Sequence, residues 1–207
     1  MNKPIIIVGD GGHASVLIET LITLNKKILG YTAPKERKEL FHLVYLGTDD
    51  VIESYCPNEV ELVIGLGTVG VSTFRKELFE SYKKKGYTFT SVIHPSANLS
   101  PSVKLGEGVQ IMAGVIMQTN VNVFDNVIIN TGVIIDHDCK VKSHTHIAPG
   151  TTLSGSVTVG QGCHIGTGSA VIQGISIGDG TLIGAGSVVV TTIGSNKKAY
   201  GVPAKEV

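Results

Sequence analysis

The sequence has no tryptophan, 5% aromatic residues and only 16% charged residues among its 207. Its 17 Lys and Arg are balanced by 17 Asp and Glu, so it lacks the basic surplus of nucleic-acid-binding or membrane-surface proteins. Its apolar runs are far shorter than the ~20 residues of a membrane span, and its N-terminus lacks a signal-peptide pattern. The three cysteines form no C-x-x-C motif, and their odd number suits a reducing compartment. These absences predict a soluble cytoplasmic protein that binds no nucleic acid and spans no membrane.

Short β-rich runs alternate with helical stretches before residue 95. The pattern predicts strands at 3–8, 27–31, 44–46, 61–66 and 87–93, and helices at 14–24, 49–53 and 72–85. A glycine turn with Gly9, Gly11 and Gly12 separates the first strand from the first helix. Such βα units are typical of a parallel α/β sheet. The sequence therefore predicts a small Rossmann-like βαβ domain over residues 1–95.

From residue 97 the sequence repeats with a period of six through sixteen hexads without an insertion. One column is small or β-branched: Ala97, Val103, Val109, Val115, Val121, Val127, Val133, Cys139, Thr145, Thr151, Val157, Cys163, Ser169, Ile175, Thr181 and Ser187. The column two residues later is aliphatic: Leu99, Leu105, Ile111, Met117, Val123, Ile129, Ile135, Val141, Ile147, Leu153, Val159, Ile165, Val171, Ile177, Ile183 and Val189. The last hexad position is glycine nine times, at 108, 114, 132, 150, 162, 168, 174, 180 and 186, where a tight turn favours positive φ.

A period of six predicts a parallel β-helix of triangular cross-section, in which each hexad supplies one short strand and one corner. Three hexads complete a coil of eighteen residues, so sixteen hexads give a little over five coils. A β-sandwich, the alternative, would place turn signals every 8–12 or so residues. We therefore expect a second domain, a β-helix with a C-terminal tail, over residues 96–207.

Several motifs resemble those of known enzymes. The segments 159–169 and 201–205 look like the left-handed β-helix acyltransferases. The segments 8–14 (V-G-D-G-G-H-A), 93–97 (I-H-P-S-A) and 136–139 (D-H-D-C) occur in the order found in one branch. The whole chain is thereby similar to the sialic acid O-acetyltransferase/bacillosamine N-acetyltransferase family of bacterial sugar acyltransferases.

The resemblance implies a left-handed parallel β-helix that forms a homotrimer with active sites between subunits. It implies acetyl-CoA as co-substrate, lying along the coil in the groove between neighbouring subunits. It also implies that the N-terminal domain presents a nucleotide-linked amino sugar or a sialic acid. The six-residue period by itself indicates neither the handedness nor the trimer.

His137 is the candidate general base. It follows the inward Ile135 by two residues, so its side chain should project outward. Acyl transfer from a thioester needs a base for the proton of the incoming amine or hydroxyl, and imidazole suits that task near pH 7. The adjacent Asp138 can fix the tautomer of the ring and stabilise the imidazolium. By the pattern alone, an outward histidine on a β-helix is more often an ordinary surface residue than a catalytic base. The resemblance identifies residues 136–138 as the catalytic segment.

Other residues are expected to bind acetyl-CoA. The resemblance makes His146 the second functional histidine, which contacts acetyl-CoA and positions or polarises the thioester. Gly155 lies eighteen residues after His137, so it should stack over it and let a backbone N–H approach the oxyanion. Ala185 and Gly186 are expected to contact CoA further along the groove. Lys205, with Lys197 and Lys198, either meets the phosphates of CoA or belongs to a solvated tail.

The acceptor is expected at two loops after strands. Gly11 and Gly12 open a helix, where backbone N–H groups can cradle phosphates, and His13 ties the loop down. The resemblance adds the loop with Gly67 and Thr68. It also places Asn130 near the acceptor sugar, although an asparagine ladder or a corner turn explains that residue equally well. The acidic residues usual after the second strand of the family are replaced by Y-T-A-P at 31–34.

A metal site is the alternative use of the clustered histidines. His144 and His146 are two residues apart on a strand and so share a face, which makes zinc conceivable. We expect no metal, because Cys139 belongs to the inward column and a β-helix corner offers no closed tetrahedron of ligands. His144 and His164 are expected to be exposed polar residues.

The sequence thus predicts an acetyl-CoA-dependent N-acetyltransferase acting on the 4-amino group of a nucleotide-linked deoxysugar in bacterial surface-glycan biosynthesis. The first alternative is O-acetylation of a sialic acid or a related sugar by the same residues. The second, from another class, is a non-catalytic β-helix scaffold or sugar-binding protein. No acyl-enzyme nucleophile is expected, since the cysteines point inward and no G-x-S-x-G motif is present.

Overall fold

The computed structural model of the protein describes residues 3–37 and 39–207. The chain divides into two units, the first comprising the residues up to Gly67 together with Glu77–Val92, the second Thr68–Lys76 together with Ile93–Val207. The main boundary lies between residues 92 and 93, where the sequence places it between 95 and 96. The segment 68–76 is grouped with the second unit, which the sequence does not indicate.

The first unit is built on a four-stranded parallel sheet. Its strands are β1 (Ile5–Val8), β2 (Ile28–Thr32), β3 (Tyr45–Gly47) and β4 (Glu61–Ile64), in the order β3-β2-β1-β4. The helices are α1 (Gly12–Thr23), a 3₁₀ helix (Asp49–Ser54) and α2 (Phe74–Lys84), whose first turn belongs to the second unit. The apolar β1 is central and at most 2% exposed, as a continuous apolar run in a parallel sheet should be. No helix in the described part of the chain is long and apolar enough to cross a membrane.

The predicted strand over 87–93 is largely absent. Only Val92–Ile93 form a strand, β5, while Phe89 makes an isolated parallel bridge with Leu62. The apolar residues of this segment pack as individual side chains instead. The rings of Phe89 and Phe79 stack with centroids 4.4 Å apart, and the hydroxyl of Tyr87 donates to the carbonyl oxygen of Ile52 at 2.8 Å. Two backbone hydrogen bonds join the segment to β4, from Leu62 to the carbonyl oxygen of Thr88 at 2.9 Å and from Thr90 to that of Leu62 at 3.0 Å, so it pairs with the sheet at one residue rather than along a strand.

The second unit is a parallel β-helix with three faces made of two-residue strands. Face 1 contains β5, β8 (Gln110–Ile111), β11 (Ile128–Ile129), β14 (His146–Ile147), β17 (His164–Ile165), β20 (Leu182–Ile183), β22 (Lys198–Tyr200) and the antiparallel β23 (Lys205–Glu206). Face 2 contains β6 (Asn98–Leu99), β9 (Ile116–Met117), β12 (Ile134–Ile135), β15 (Thr152–Leu153), β18 (Ala170–Val171) and β21 (Val188–Val189). Face 3 contains β7 (Lys104–Leu105), β10 (Asn122–Val123), β13 (Lys140–Val141), β16 (Thr158–Val159) and β19 (Ser176–Ile177).

The register of the coil confirms the predicted period. Strands eighteen residues apart pair in parallel, as in Ile135↔Leu153 and Ile147↔Ile165. Every member of the aliphatic column from Ile111 to Val189 is at most 1% exposed. This column therefore forms the core, and each added coil buries three more aliphatic side chains.

Polar members of the inward column bond to the next corner. The hydroxyl of Thr145 donates to the carbonyl oxygen of Gly160 at 2.7 Å, and that of Ser169 to Gly184 at 2.9 Å. The thiol of Cys139 donates to the carbonyl oxygen of Ser154 at 3.1 Å. Small polar residues are tolerated in this core because each satisfies its hydrogen-bonding group.

Left-handed backbone recurs at the last position of the hexad. All nine glycines predicted there have φ between 65° and 71°. Five other residues take the same conformation, with φ between 56° and 64°: Asn120, Asn126, Asp138, His144 and Ser156. Asn and Asp tolerate it best among non-glycine residues, so most of these exceptions follow known preferences.

The outward residues of the three faces differ in chemistry. On face 3 they are polar: Lys104, Asn122, Lys140, Thr158 and Ser176. On face 2 they are mostly apolar or small: Asn98, Ile116, Ile134, Thr152, Ala170 and Val188. Ile134 is 41% exposed there, and Ile172 and Val190, which directly follow β18 and β21 of the same face, are also exposed. A β-helix has no reason of its own to present such a stripe to water, so face 2 is suited to contact with another protein surface.

Candidate active site

His137 and Asp138 lie at the corner where face 2 turns into face 3, between β12 and β13. Nδ1 of His137 lies 2.9 Å from Oδ2 of Asp138, and both side chains are half exposed. Because a carboxylate only accepts, Nδ1 carries the proton and Nε2 keeps its lone pair. The hydrogen bond that His137 donates to Asp138 raises the pKa of His137, and the same bond lowers the pKa of Asp138. The pair therefore has the polarity of a general base with an orienting carboxylate.

Gly155 stacks one coil beyond His137, as predicted. A Cβ built on Gly155 would lie 2.5 Å from Nε2 and 2.6 Å from Cε1 of His137. Any side chain at this position would therefore displace the imidazole. Glycine is required here by the approach of the ring rather than by backbone conformation, since its φ is not positive.

Asn120 and Ser102 extend the corner below Asp138, and sequence reasoning missed both. Nδ2 of Asn120 donates to Oδ1 of Asp138 at 3.1 Å, and the backbone N–H of Asn120 donates to Oγ of Ser102 at 2.9 Å. A cavity of about 440 Å³ lies here, lined by Ser102, Lys104, Asn120, Asn122, Asp138 and Lys140. The signal that could have found these residues is the eighteen-residue period, which stacks 102, 120 and 138.

His146 lies on the outward side of face 1 and is only 7% exposed. Its Nε2 lies 3.1 Å from Nδ2 of Asn130, and its Nδ1 lies 2.9 Å from Oγ1 and 3.1 Å from the carbonyl oxygen of Thr68. Oδ1 of Asn130 accepts from the backbone N–H of Thr131 at 2.8 Å, so Nδ2 faces the ring. An amide donor at Nε2 and a carbonyl at Nδ1 fit the neutral tautomer protonated on Nδ1. Thr68, Asn130 and His146 thus form one hydrogen-bonded group.

His164 and His144 are less exposed than predicted. The ring of His164 lies edge-on to that of His146, with centroids 5.0 Å apart, and burial lowers the pKa of His164. Nδ1 of His144 lies 3.0 Å from Nδ2 of Asn126, a buried residue at the left-handed position one coil below. Both histidines are therefore held by the coil, because the eighteen-residue period stacks each on a polar or aromatic partner.

The two cysteines of the inward column are buried, as the pattern predicts. Burial raises the pKa of Cys139 and of Cys163 to about 11. A thiol with such a pKa is not a thiolate near neutral pH, so neither residue is poised as a nucleophile. In residues 3–37 and 39–207, no group of three or more His, Cys, Asp or Glu side chains is placed to hold a metal ion.

The glycine loop of the first unit lies at the carboxyl end of the parallel sheet. Gly11 is the N-cap of α1 and Gly12 its first residue, and a Cβ on either would meet nothing within 4 Å. A Cβ on Gly67, after the neighbouring β4, would lie 3.3 Å from Cβ of His13. The structure thus brings Gly11, Gly12, His13 and Gly67 together at the edge where open α/β sheets bind ligands.

A carboxylate does reach the end of β2. Oγ1 of Thr32 donates to Oδ1 of Asp49 at 2.7 Å, and Asp49 opens the 3₁₀ helix. The sequence offers no acidic residue directly after β2, but the tertiary structure brings one there from 17 residues away.

The candidate catalytic, cofactor and substrate residues of the β-helix do not all lie together within one chain. His137, Asp138 and Gly155 occupy the corner between faces 2 and 3. Asn130, Ala185 and Gly186 occupy the corner between faces 1 and 2, and His146 lies on face 1 beside it. Lys205 is exposed on β23, near an ion pair of 3.0 Å between Lys197 and Glu206. Face 2 therefore separates two groups of candidate residues.

Comparison with known proteins gives matches over the whole chain. Residues 4–82 match the family model of the PglD N-terminal domain. PerB from Caulobacter crescentus, solved with CoA and GDP-perosamine, is 34% identical, with a TM-score of 0.89 over 100% of this chain and 98% of its own. The acetyltransferase domain of PglB from Neisseria gonorrhoeae, solved with acetyl coenzyme A, is 31% identical, with a TM-score of 0.93 over 100% of both chains.

The chain belongs to the bacillosamine and perosamine N-acetyltransferase family. A curated relative, the UDP-N-acetylbacillosamine N-acetyltransferase of Bacillus subtilis (strain 168), is 36% identical over 120 residues. That alignment covers 54% of this chain and 52% of the relative, so the chain spans about half the length of the curated relative it matches.

Membership of this sugar acyltransferase family confirms several expectations. The family resemblance, the enzyme class and the fold are those predicted: a parallel α/β domain followed by a left-handed parallel β-helix. CoA is present in the structure of PerB, and acetyl-CoA in that of the acetyltransferase domain of PglB. The roles of individual site residues, the trimer and the cytoplasmic location stay predictions.

Proposed function

We propose that this protein transfers the acetyl group of acetyl-CoA to the 4-amino group of a nucleotide-linked deoxysugar in bacterial surface-glycan biosynthesis. The observation that carries the proposal is His137, held by Asp138 with Nε2 against the bare Cα of Gly155. A half-exposed imidazole that keeps the lone pair of Nε2 is the feature that direct acyl transfer needs. The relatives with CoA, acetyl-CoA and GDP-perosamine support the same chemistry.

In the proposed reaction, the neutral acceptor amine attacks the thioester carbonyl and forms the new N–C bond. His137 takes the ammonium proton on Nε2, and Asp138 stabilises the imidazolium through Nδ1–H. The tetrahedral intermediate collapses with cleavage of the C–S bond, and the thiolate of CoA leaves and recovers a proton. The backbone at Gly155 is suited to face the oxyanion, because no side chain covers it.

Acetyl-CoA is proposed to contact Gly155 of one subunit and Ala185, Gly186 and Lys205 of its neighbour. The space around Gly186, where a Cβ would meet nothing within 4 Å, fits a ligand that runs close to the backbone. His146 is proposed to lie near the thioester in the same groove. Its nitrogens already contact Thr68 and Asn130, so it acts within that hydrogen-bonded group.

In the first unit, Gly11, Gly12, His13 and Gly67 are proposed to bind the acceptor. In the second unit, Thr68 and Asn130 are proposed as contacts of its sugar. The open backbone at the start of α1 supports a phosphate-binding role, because helix N-termini favour anions. A nucleotide diphosphate carries that charge, whereas a free sialic acid offers only a carboxylate.

A homotrimer with active sites between subunits is proposed from the chemistry of face 2. Its outward column is mostly apolar or small and includes Ile116, Ile134 and Val188. Contact between copies across this face would bring the corner with His137 of one chain toward the corner with Gly186 of the next. The separation of the candidate residues into two groups supports this arrangement.

A cytoplasmic location is proposed because acetyl-CoA and nucleotide sugars are made and used there. All three cysteines are free, which suits a reducing compartment.

The test is release of CoA thiol from acetyl-CoA in the presence of nucleotide 4-amino sugars, with mass spectrometry of the acceptor. We expect a product heavier by one acetyl group, and a His137→Ala variant slower by about 10²–10⁴-fold, the usual contribution of a general base. Sialic acid as the only acceptor would favour O-acetylation instead. No turnover with any acceptor, together with no binding of acetyl-CoA by calorimetry, would indicate a scaffold.

A further inference from the structure

The carboxylate of Asp138 is held from two sides. Oδ2 accepts from Nδ1 of His137 at 2.9 Å, and Oδ1 accepts from Nδ2 of Asn120 at 3.1 Å. A half-exposed carboxylate with a single partner turns about its Cβ–Cγ bond and exchanges that partner for water. With both oxygens engaged, its plane is fixed and so is the direction of the bond to the imidazole.

Asn120 is itself held in place by the coil. It occupies the left-handed position of its hexad, with φ of 61°, and its backbone N–H donates to Oγ of Ser102 at 2.9 Å. Oγ of Ser102 lies 3.1 Å from Oγ of Ser100. A series of hydrogen bonds therefore connects Ser102 through Asn120 and Asp138 to His137, across two successive coils of the corner.

We propose that Asn120 is a positioning residue for acyl transfer, which fixes the carboxylate of Asp138 so that the imidazole of His137 keeps Nε2 beside the bare backbone of Gly155. The inference rests on the proposed function, because it gives Asn120 a part in orienting the proposed base. The hydrogen bond that connects Asn120 to the pair goes to Asp138, on the oxygen that does not face the ring, so Asn120 acts through Asp138.

The neighbouring asparagine provides a control. Asn122 lies two residues further along, on β10, and lines the same cavity as Asn120 and Asp138. It is stacked on Lys104 and Lys140 of the adjacent strands rather than on Asp138. Loss of the Asn122 amide therefore changes the cavity and leaves the hydrogen bond to Asp138 intact.

The pKa of His137 is expected to shift in opposite directions in two variants of Asn120. In Asn120→Ala the carboxylate of Asp138 loses a donor that lowers its own pKa, and it is free to turn away from the ring. Because the hydrogen bond to Asp138 is the main cause that raises the pKa of His137, we expect the pKa of His137 to fall when that bond is formed less often. In Asn120→Asp a second carboxylate adds negative charge beside the pair, and the pKa of His137 rises. The other charged groups around the pair are Asp136, Lys104 and Lys140, and they are the same in every variant.

The experiment is a pH titration of the His137 ring by NMR in the intact protein, which requires no turnover. We expect the titration to move to lower pH in Asn120→Ala, to higher pH in Asn120→Asp, and to stay in place in Asn122→Ala. Equal behaviour of Asn120→Ala and Asn122→Ala would overturn the inference, as would a shift of both Asn120 variants in the same direction.

Steady-state kinetics then connect the geometry to the reaction. For Asn120→Ala we expect kcat to fall about tenfold, the order expected for one hydrogen bond to a charged group, with the KM of both substrates nearly unchanged. The acidic limb of its pH profile should move with the NMR titration. An unchanged kcat would overturn the positioning role, whereas absence of activity in the wild-type protein would contradict the proposed function and leave the titration result standing.

Discussion

At the scale of single residues, the candidate site depends on one short hydrogen-bonded unit. His137 and Asp138 are adjacent in sequence, and Asp138 adopts φ of 61° so that its carboxylate turns back to the ring. Asp138 stands where most hexads have glycine. At this position most hexads need only a residue that allows the turn. Here the side chain of Asp138 also forms a hydrogen bond with its neighbour His137.

The pH dependence of activity follows from the pair. Asp138 raises the pKa of His137 above its ordinary value of 6.5, so the base is protonated and inactive below that raised pKa. We expect kcat/KM to rise with pH through it and then level off. In Asp138→Asn the acidic limb should move to lower pH, since the charge that raised the pKa is gone.

Asp138→Asn should also lower the high-pH plateau of kcat/KM by about tenfold or more. The neutral amide neither fixes the tautomer of His137 nor stabilises its imidazolium. Asp136→Asn, which changes a charge that also raises the pKa of His137 but accepts from the backbone N–H of His137 at 2.7 Å rather than from the ring, is the control. If the acidic limb of the pH profile shifted further in Asp136→Asn than in Asp138→Asn, the assigned role of Asp138 would be contradicted.

At the scale of the element, the hexad depends on its left-handed corner. Gly162 has φ of 66°, and a Cβ there would meet nothing within 4 Å. Substitution at Gly162 therefore tests backbone conformation without a steric clash. We expect Gly162→Ala to lower the free energy of unfolding by about 1 kcal/mol, the cost of left-handed backbone for an ordinary residue.

Gly162→Asn is the matched variant, since asparagine already occupies this position at residues 120 and 126. Its effect in chemical denaturation should be smaller than that of alanine, and that of the β-branched Gly162→Val should be larger. A ranking in which asparagine is the most destabilising would show that something other than φ controls the corner.

At the scale of the whole molecule, face 2 decides assembly. Ile134 is 41% exposed at the centre of its apolar column, whereas the outward column of face 3 is polar. We expect Ile134→Glu to dissociate the proposed trimer, because a charge at the contact would lose its water. Light scattering coupled to size exclusion measures the change, and acetyl transfer should be lost with the assembly.

Thr158→Glu, an equivalent outward strand position on face 3, is the control and should leave the mass and the activity unchanged. A wild-type protein that is monomeric at all concentrations, or an Ile134→Glu variant that keeps both mass and activity, would contradict the trimer.

The sequence predicted the repeat region more accurately than the first unit. Each hexad reports the same inward positions and the same turn, so sixteen weak signals combine into one strong prediction. Residues 87–93 have no such redundancy, and the burial of Tyr87 and Phe89 through side-chain contacts was mistaken for a strand.

The residues of the candidate site likewise differ in how well the sequence predicts them. His137, Asp138 and Gly155 follow from spacing, because an eighteen-residue coil stacks them. Asn120 obeys the same spacing and was missed, since nothing in its own hexad marks an asparagine in a left-handed turn as more than a turn residue. Thr68 was expected beside the acceptor, and its contacts with His146 across 78 residues appear only in the structure.

The amino-acid sequence by itself determined the coil, its inward columns and its corners, because a period of six fixes which side chains point inward whatever surrounds them. Only the tertiary structure decided which polar groups meet: Asp138 with Asn120, His146 with Thr68, and Thr32 with Asp49. Hydrogen bonds depend on the distance and direction of individual atoms, and a pattern of residue types carries neither.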